Sequence, residues 1–130
     1  MKKTMLVLGL VSIMATGVYA TTNNTLEKNT EVSSYFTPYE INSFCKAIIK
    51  GDLEMVKKMI DLGEDVNQKS LGKTPAHYAA RYNKPEILEL LIANGANLKK
   101  KCDKGYTAKK YAQMSKAEEA LEVIETTLKK

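Results

Sequence analysis

Tryptophan is absent from this chain, and phenylalanine occurs only twice in 130 residues. With aromatics at only 7% of the chain, a core is expected to draw mainly on aliphatic side chains and alanine, and must pack closely. Histidine occurs once, at His77. A protein metal site draws on several Cys, His or carboxylate ligands at set spacings, and a lone histidine lacks those companions. The same shortage leaves no Ser-His-Asp or Cys-His arrangement for nucleophilic catalysis. Carboxylates such as Glu118, Glu119 and Glu122 sit at spacings that suit a solvated helix face. No catalytic residue, metal or cofactor is expected, and the chain reads as a non-enzyme.

Arginine is also nearly missing, with Arg81 alone, although charged residues make up 27% of the chain and the formal net charge is +5. Nucleic-acid readers lean on arginine, whose planar fork grips phosphates and guanine edges. An excess carried by lysine reads instead as solvated surface, or as a face for an acidic protein partner. Nucleic acid is not an expected partner.

Long apolar runs are lacking except at the start. Lys2 and Lys3 precede an uncharged stretch from Met5 to Ala20 that closes on Val18-Tyr19-Ala20, a small-x-small pattern. This is the layout of a cleaved export signal, and it falls short of the roughly 20 apolar residues an ordinary membrane helix needs. Residues 1–20 are thus expected to be a signal peptide, leaving no stable membrane anchor after cleavage. Removing Lys2 and Lys3 from the 20 basic residues leaves 18 against 15 acidic, a net of +3. Residues 21–36, rich in Thr, Asn, Ser and Glu, have too few apolar side chains to offset the entropy of ordering, and are expected to form a flexible leader.

Ordered structure is expected over 37–130. Thr37-Pro38-Tyr39-Glu40 reads as a capping box with proline at the first helical position, and Ile41, Phe44, Ala47 and Ile48 follow at helical spacing. Gly51 stops that helix, Asp52 caps a second, and Gly63 ends it. The pattern then repeats. Thr74-Pro75 opens a helix through Ala76, His77, Ala79 and Ala80. After Asn83-Lys84-Pro85 a second helix carries Ile87, Leu88, Leu90, Leu91 and Ile92 to Gly95. A degraded third copy starts at Gly105-Tyr106-Thr107-Ala108 and runs through Ala112, Leu121, Ile124 and Leu128. Gly63 and Gly95 are 32 apart, as are Glu54 and Glu86; Thr74 and Thr107 are 33 apart, as are Gly72 and Gly105.

A period near 33 with two helices and a turn per unit is that of ankyrin repeats. The central unit resembles them closely. Gly72-Lys73-Thr74-Pro75-Ala76-His77-Tyr78-Ala79-Ala80 is similar to the family's G-x-T-P-L-H-x-A-A, and Glu86 to Ile92 is similar to its second helix. The flanking units depart from the pattern, with Asn42-Ser43-Phe44-Cys45 and Thr107-Ala108-Lys109-Lys110 at the T-P-L-H positions. Terminal repeats lack a neighbour on one side and trade core residues for charge. The resemblance implies an all-α solenoid of about three stacked helix-turn-helix units with short projecting hairpins, in repeats near 37–69, 70–102 and 103–130. It gives His77 a structural part, joining Thr74 in hydrogen bonds that tie helix starts to neighbouring loops.

Cys45 takes the histidine position of the first unit, and Cys102 opens the third unit's hairpin. Stacked repeats about 10 Å apart set the two sulfurs beyond the roughly 7 Å Cα separation a disulfide tolerates. Cys45 is expected to be a half-buried free thiol and Cys102 an exposed one, with an intramolecular bridge between them or an intermolecular bridge through Cys102 as the alternatives.

Ankyrin proteins bind through hairpin tips and the inner helix face. The resemblance places Ser70, Leu71, Lys73, Tyr78, Arg81 and Tyr82 there in the second unit, and Lys101, Asp103, Lys104, Tyr106 and Tyr111 in the third. Tyr82, Arg81 and Tyr106 are the expected anchors, since tyrosine and arginine dominate interface hot spots, and the strip suits an acidic protein surface. With the leader, the implied role is that of an exported monomer, periplasmic or secreted, binding a protein partner. Small exported bacterial ankyrin proteins do two kinds of work: inhibition of, or immunity to, an envelope enzyme, and accessory service in peroxide defence through haem supply to a catalase. A secreted effector or structural scaffold is the third reading.

Overall fold

The computed structural model describes residues 39–130. The expected export signal at 1–20, the leader at 21–36 and the Thr37-Pro38 half of the first capping box lie outside the described residues.

Six helices occur in order among the described residues: α1 (Ser43–Lys50), α2 (Leu53–Asp61), α3 (Pro75–Arg81), α4 (Pro85–Ala93), α5 (Ala108–Met114) and α6 (Glu118–Lys129). Among the described residues there is no strand, only an isolated antiparallel bridge between Ser70 and Lys73. The helices pair as α1–α2, α3–α4 and α5–α6. The pairs stack with α1, α3 and α5 side by side in an inner row and α2, α4 and α6 in an outer row. The expected all-α array of three helix pairs is the observed fold.

Each inner helix begins on a side-chain cap. Thr74 accepts from the His77 N–H, and the His77 side chain accepts from the Thr74 N–H, so the capping box lies here, with Pro75 at the first helical position. Thr107 caps α5 in the same way, accepting from the Lys110 N–H. The start of α1 differs from the sequence reading. Tyr39 and Glu40 lie in a turn, and Asn42 caps the helix by accepting from the Cys45 N–H at 2.8 Å. Asn42 precedes Thr74 by 32 residues, so the repeat register, rather than the local Thr-Pro signal, sets this helix end. Capping at Asn42 turns Phe44, Cys45, Ala47 and Ile48 inward.

After each inner helix the chain must reverse through a left-handed residue. Gly51 (φ 77°), Asn83 (φ 51°) and Lys116 (φ 55°) hold this position in the three units. Lys116 divides what the sequence left as one degraded run into α5 and α6. Asn83 also reaches into the next unit, where its Oδ1 accepts from the Ala120 N–H at 3.0 Å. That bond supplies the cap α6 lacks, since its own N-cap residue is Ala117. Asn83→Ala removes a cap and strains a left-handed position, and is expected to lower stability by about 1–2 kcal/mol. Thermal unfolding would check this; an unchanged Tm would show that the cap contributes nothing.

The inner row is close-packed because its contacts are small. Ala76, Ala79, Ala80, Ala108 and Ala112 are all at most 1% exposed. The larger side chains Phe44, Ile48, Leu88, Leu91 and Ile124 fill the space between the rows. Each such burial stabilises by about 1.5–3 kcal/mol before entropy is counted. Loops add links between units. Asn67 Oδ1 accepts from the Asn97 N–H at 2.8 Å, and Asn67 Nδ2 donates to the Gly95 carbonyl at 2.9 Å.

Candidate functional site

Two hairpins precede α3 and α5. In the first, the Ser70 N–H donates to the Lys73 carbonyl at 2.8 Å and the Lys73 N–H returns to Ser70 at 3.2 Å. Both central residues, Leu71 (φ 48°) and Gly72 (φ 75°), are left-handed, the primed turn that matches hairpin twist. In the second, the Cys102 N–H donates to the Tyr106 carbonyl at 2.8 Å. The two are joined side by side: the Asp103 N–H donates to the Gly72 carbonyl at 2.9 Å. Gly72 permits this approach, because a Cβ there would stand 2.5 Å from the Asp103 carboxylate.

His77 holds the hairpins to the helices, and it is 1% exposed. The Thr74 N–H donates to Nδ1 at 3.0 Å, so Nδ1 is an acceptor and Nε2 carries the proton. Nε2–H then donates to the Tyr106 carbonyl at 2.9 Å. Burial is the main force holding the ring below its ordinary pKa, and Lys69 and Lys73 push the same way, against the Tyr106 carbonyl. Both ring nitrogens are thus committed within the fold, which leaves neither for a haem iron or for proton transfer.

Three of the residues expected on the binding face are not on the surface. Tyr78 is 3% exposed and Tyr111 4%. The Tyr78 hydroxyl donates to the Ser70 carbonyl at 2.7 Å, and Ser70, 7% exposed, receives the Asn42 N–H on its Oγ at 2.9 Å. Tyr111 lies edge-on to both His77 and Tyr106. Burial, the largest cause, pushes both phenols up to about 12, so each stays a hydrogen-bond donor. These buried side chains brace the hairpins.

Cys102 is likewise buried, at 5% exposure, where an exposed thiol was expected. Its Sγ lies 3.4 Å from the Tyr111 hydroxyl and accepts the Tyr106 N–H at 3.4 Å. Burial alone would raise this thiol's pKa. The Tyr111 hydroxyl and the N–H groups of Tyr106, Lys104 and Gly105 stabilise the thiolate and bring it below its ordinary value. Cys45 is fully rather than half buried, and burial, with Glu64 adding, pushes it up to about 12. Both thiols are free.

The accessible strip that remains carries Leu71, Tyr82 and Tyr106, at 44%, 42% and 37% exposure. With them stand Lys73, Arg81, Lys101, Asp103 and Lys104. The Arg81 guanidinium lies over the Tyr82 ring at 5.8 Å, and the Lys73 ammonium over the Tyr78 ring at 5.8 Å. Asp103 is offset by Lys69, 2.9 Å away. Sequence reasoning passed over Lys69, although it precedes Lys101 by one 32-residue period. It also missed Asn67 and Asn83, whose partners lie a full repeat away and leave no local signal. The hollow between the hairpins, bounded by Leu71, Lys73 and Tyr111, measures about 80 Å³. Small-molecule sites run to roughly 300–1,000 Å³, so this strip offers a surface rather than a pocket. Among the described residues no group of His, Cys, Asp or Glu is arranged to hold a metal ion, and no helix is long and apolar enough to cross a membrane.

Comparison with known proteins agrees with this geometry. The family of ankyrin repeats (3 copies) matches residues 44–126. The chain is 47% identical to myotrophin of Xenopus tropicalis over 55 residues, 42% of this chain and 47% of that protein. It is 35% identical over 89 residues to a putative ankyrin repeat protein of Rickettsia bellii, 65% of this chain and 13% of the other. It is 38% identical over 74 residues to ankyrin repeat and SOCS box protein 11 of Pongo abelii, 56% of this chain and 23% of the other. The chain thus spans less than half the length of these curated relatives. Ankyrin-repeat proteins are in general non-enzymatic modules that bind other proteins, and with three stacked helix pairs tied through their hairpins, this chain belongs to that family.

Proposed function

We propose that the chain is an exported binding module that engages an acidic surface on one protein partner, acting as an inhibitor or immunity protein of an envelope enzyme. The observation that carries this reading is the accessible strip itself. Lys73, Arg81, Lys101 and Lys104 surround Leu71, Tyr82 and Tyr106, and Lys69 offsets the strip's one carboxylate, Asp103. Exposed apolar anchors ringed by unopposed cations suit a carboxylate-rich partner face. The export part rests on Lys2, Lys3 and the uncharged stretch to Ala20.

The test is co-purification from the envelope fraction with a tagged copy of the chain. Lys73→Glu, Arg81→Glu and Lys104→Glu together are expected to weaken the complex by at least about 10²-fold, since like charges facing each other cost several kcal/mol. Lys57→Glu with Lys58→Glu, on the exposed face of α2, should leave it intact. A complex indifferent to the first set, or equally sensitive to both, would refute the assigned face. Sequencing the purified chain's N-terminus should give Thr21; a chain that retains Met1 in the cytosol would refute export.

A further inference from the structure

The outer row carries a feature that the hairpin strip does not use. Between α4 and α6 runs an open groove of about 600 Å³. Ile92 and Val123, both half-buried, and Ala93 form an apolar floor. The short side chains Ala93, Thr126 and Thr127 are among the residues that line the groove. Three exposed carboxylates, Glu89, Glu119 and Glu122, line its walls, with one cation, Lys130, among the lining residues. No ion pair among the described residues involves any of the three; Glu125, which is paired, turns instead to Lys109 on α5.

This groove is acidic in a chain whose formal net charge is +5, and it lies on the row opposite the lysine-bearing inner side. Glu89, Glu119 and Glu122 do not converge into a group able to chelate a metal ion. Distributed carboxylates beside an apolar trough match distributed cations beside an apolar stripe. A helix laid in such a trough presents its aliphatic residues at i, i+3 or i+4 and i+7, with lysine or arginine on either flank.

We propose that the α4–α6 groove is a second docking surface, and that its occupant is a basic amphipathic segment of a partner protein, with lysine or arginine flanking an aliphatic stripe. The groove is opposite in charge to the lysine-bearing hairpin strip. The proposal does not depend on the hairpin-face reading.

The full chain would be titrated against a fluorescent helical peptide of lysine and leucine, followed by anisotropy at low and high salt. Binding is expected, weakened by salt. Glu89→Gln, Glu119→Gln and Glu122→Gln together should reduce affinity roughly tenfold, as three partly solvated ion pairs allow. Ala93→Arg, which fills the trough from an exposed helix position, should reduce it comparably. A control with the same charge change elsewhere, Glu54→Gln, Asp61→Asn and Glu64→Gln, should leave affinity unchanged. The proposal is overturned if the peptide fails to bind, if the control weakens binding as much as the groove set, or if Ala93→Arg has no effect. Charge reversal at Lys73, Arg81 and Lys104 should not weaken peptide binding, so a failed hairpin-face test would leave this result standing.

Discussion

Replacing Leu88 with alanine is expected to destabilise the chain by about 2–5 kcal/mol, the range for deleting a fully buried leucine and leaving its cavity. Leu88 is 0% exposed and sits in α4, the outer helix of the central unit. Stability in a repeat array is a sum of intrinsic unit stabilities and nearest-neighbour interfaces. A defect in the central unit therefore weakens the interfaces on both of its sides. Leu128→Ala is the matched control. That side chain is 41% exposed near the end of α6, and its loss should fall within about 0.5 kcal/mol. Urea unfolding measures both. A Leu88 effect no larger than the Leu128 effect would mean that the interior around α4 is not close-packed.

His77→Ala should cost about 3 kcal/mol and also change how stability depends on pH. The alanine leaves the Thr74 N–H and the Tyr106 carbonyl without their partner inside the fold, and each unsatisfied buried group costs roughly 1–3 kcal/mol. His77→Gln should cost less. A glutamine at the third helical position can still accept from the cap residue's N–H, as in an ordinary capping box, while losing the reach to Tyr106. The sign of the pH effect follows from the lowered pKa of the native ring. The folded chain holds His77 neutral, so on acidification the unfolded chain takes up this proton first. The stability tied to the ring is present in full above its unfolded pKa of about 6.5, and falls as the pH drops below that value. The fall ends where the folded ring itself protonates, and its slope is at most about 1.4 kcal/mol per pH unit. Urea midpoints for the parent and His77→Gln, measured from near neutral pH down toward pH 5, should diverge at neutral pH and draw together below. Parallel curves would show that the ring is not held neutral.

Much of the fold was legible in the sequence because the same constraints recur. Thr74 and Thr107 announce inner-helix starts, Gly51 stops a helix with a left-handed residue, and Ile87, Leu88 and Leu91 mark a buried helix face. The accessible strip was legible only in part. Tyr78 and Tyr82 are four residues apart, within α3 and just past its end, yet one is buried and the other is 42% exposed. Tyr78 points under the hairpin and bonds Ser70, whereas Tyr82 is the C-cap residue of α3 and has no hairpin over it. Met55 and Ile87 show the same dependence. They are equivalent by the 32-residue period, but Ile87 has a preceding unit against it and is 2% exposed, while Met55 is 45% exposed.

The helix pairs of the repeating units and the turns between them could be read from the amino-acid pattern, because capping, glycine turns and apolar spacing act within a few residues of one another. Which tyrosines face solvent, that Cys102 lies inside, that Asn83 caps α6, and that the outer row carries an acidic groove follow from how the chain packs on itself. The Asn83 cap and the groove depend on neighbours about one repeat away in the chain, whereas Tyr78 and Cys102 are enclosed by partners four to nine residues away that reach them only once a hairpin folds over its helix; neither kind of contact leaves a mark in helical spacing.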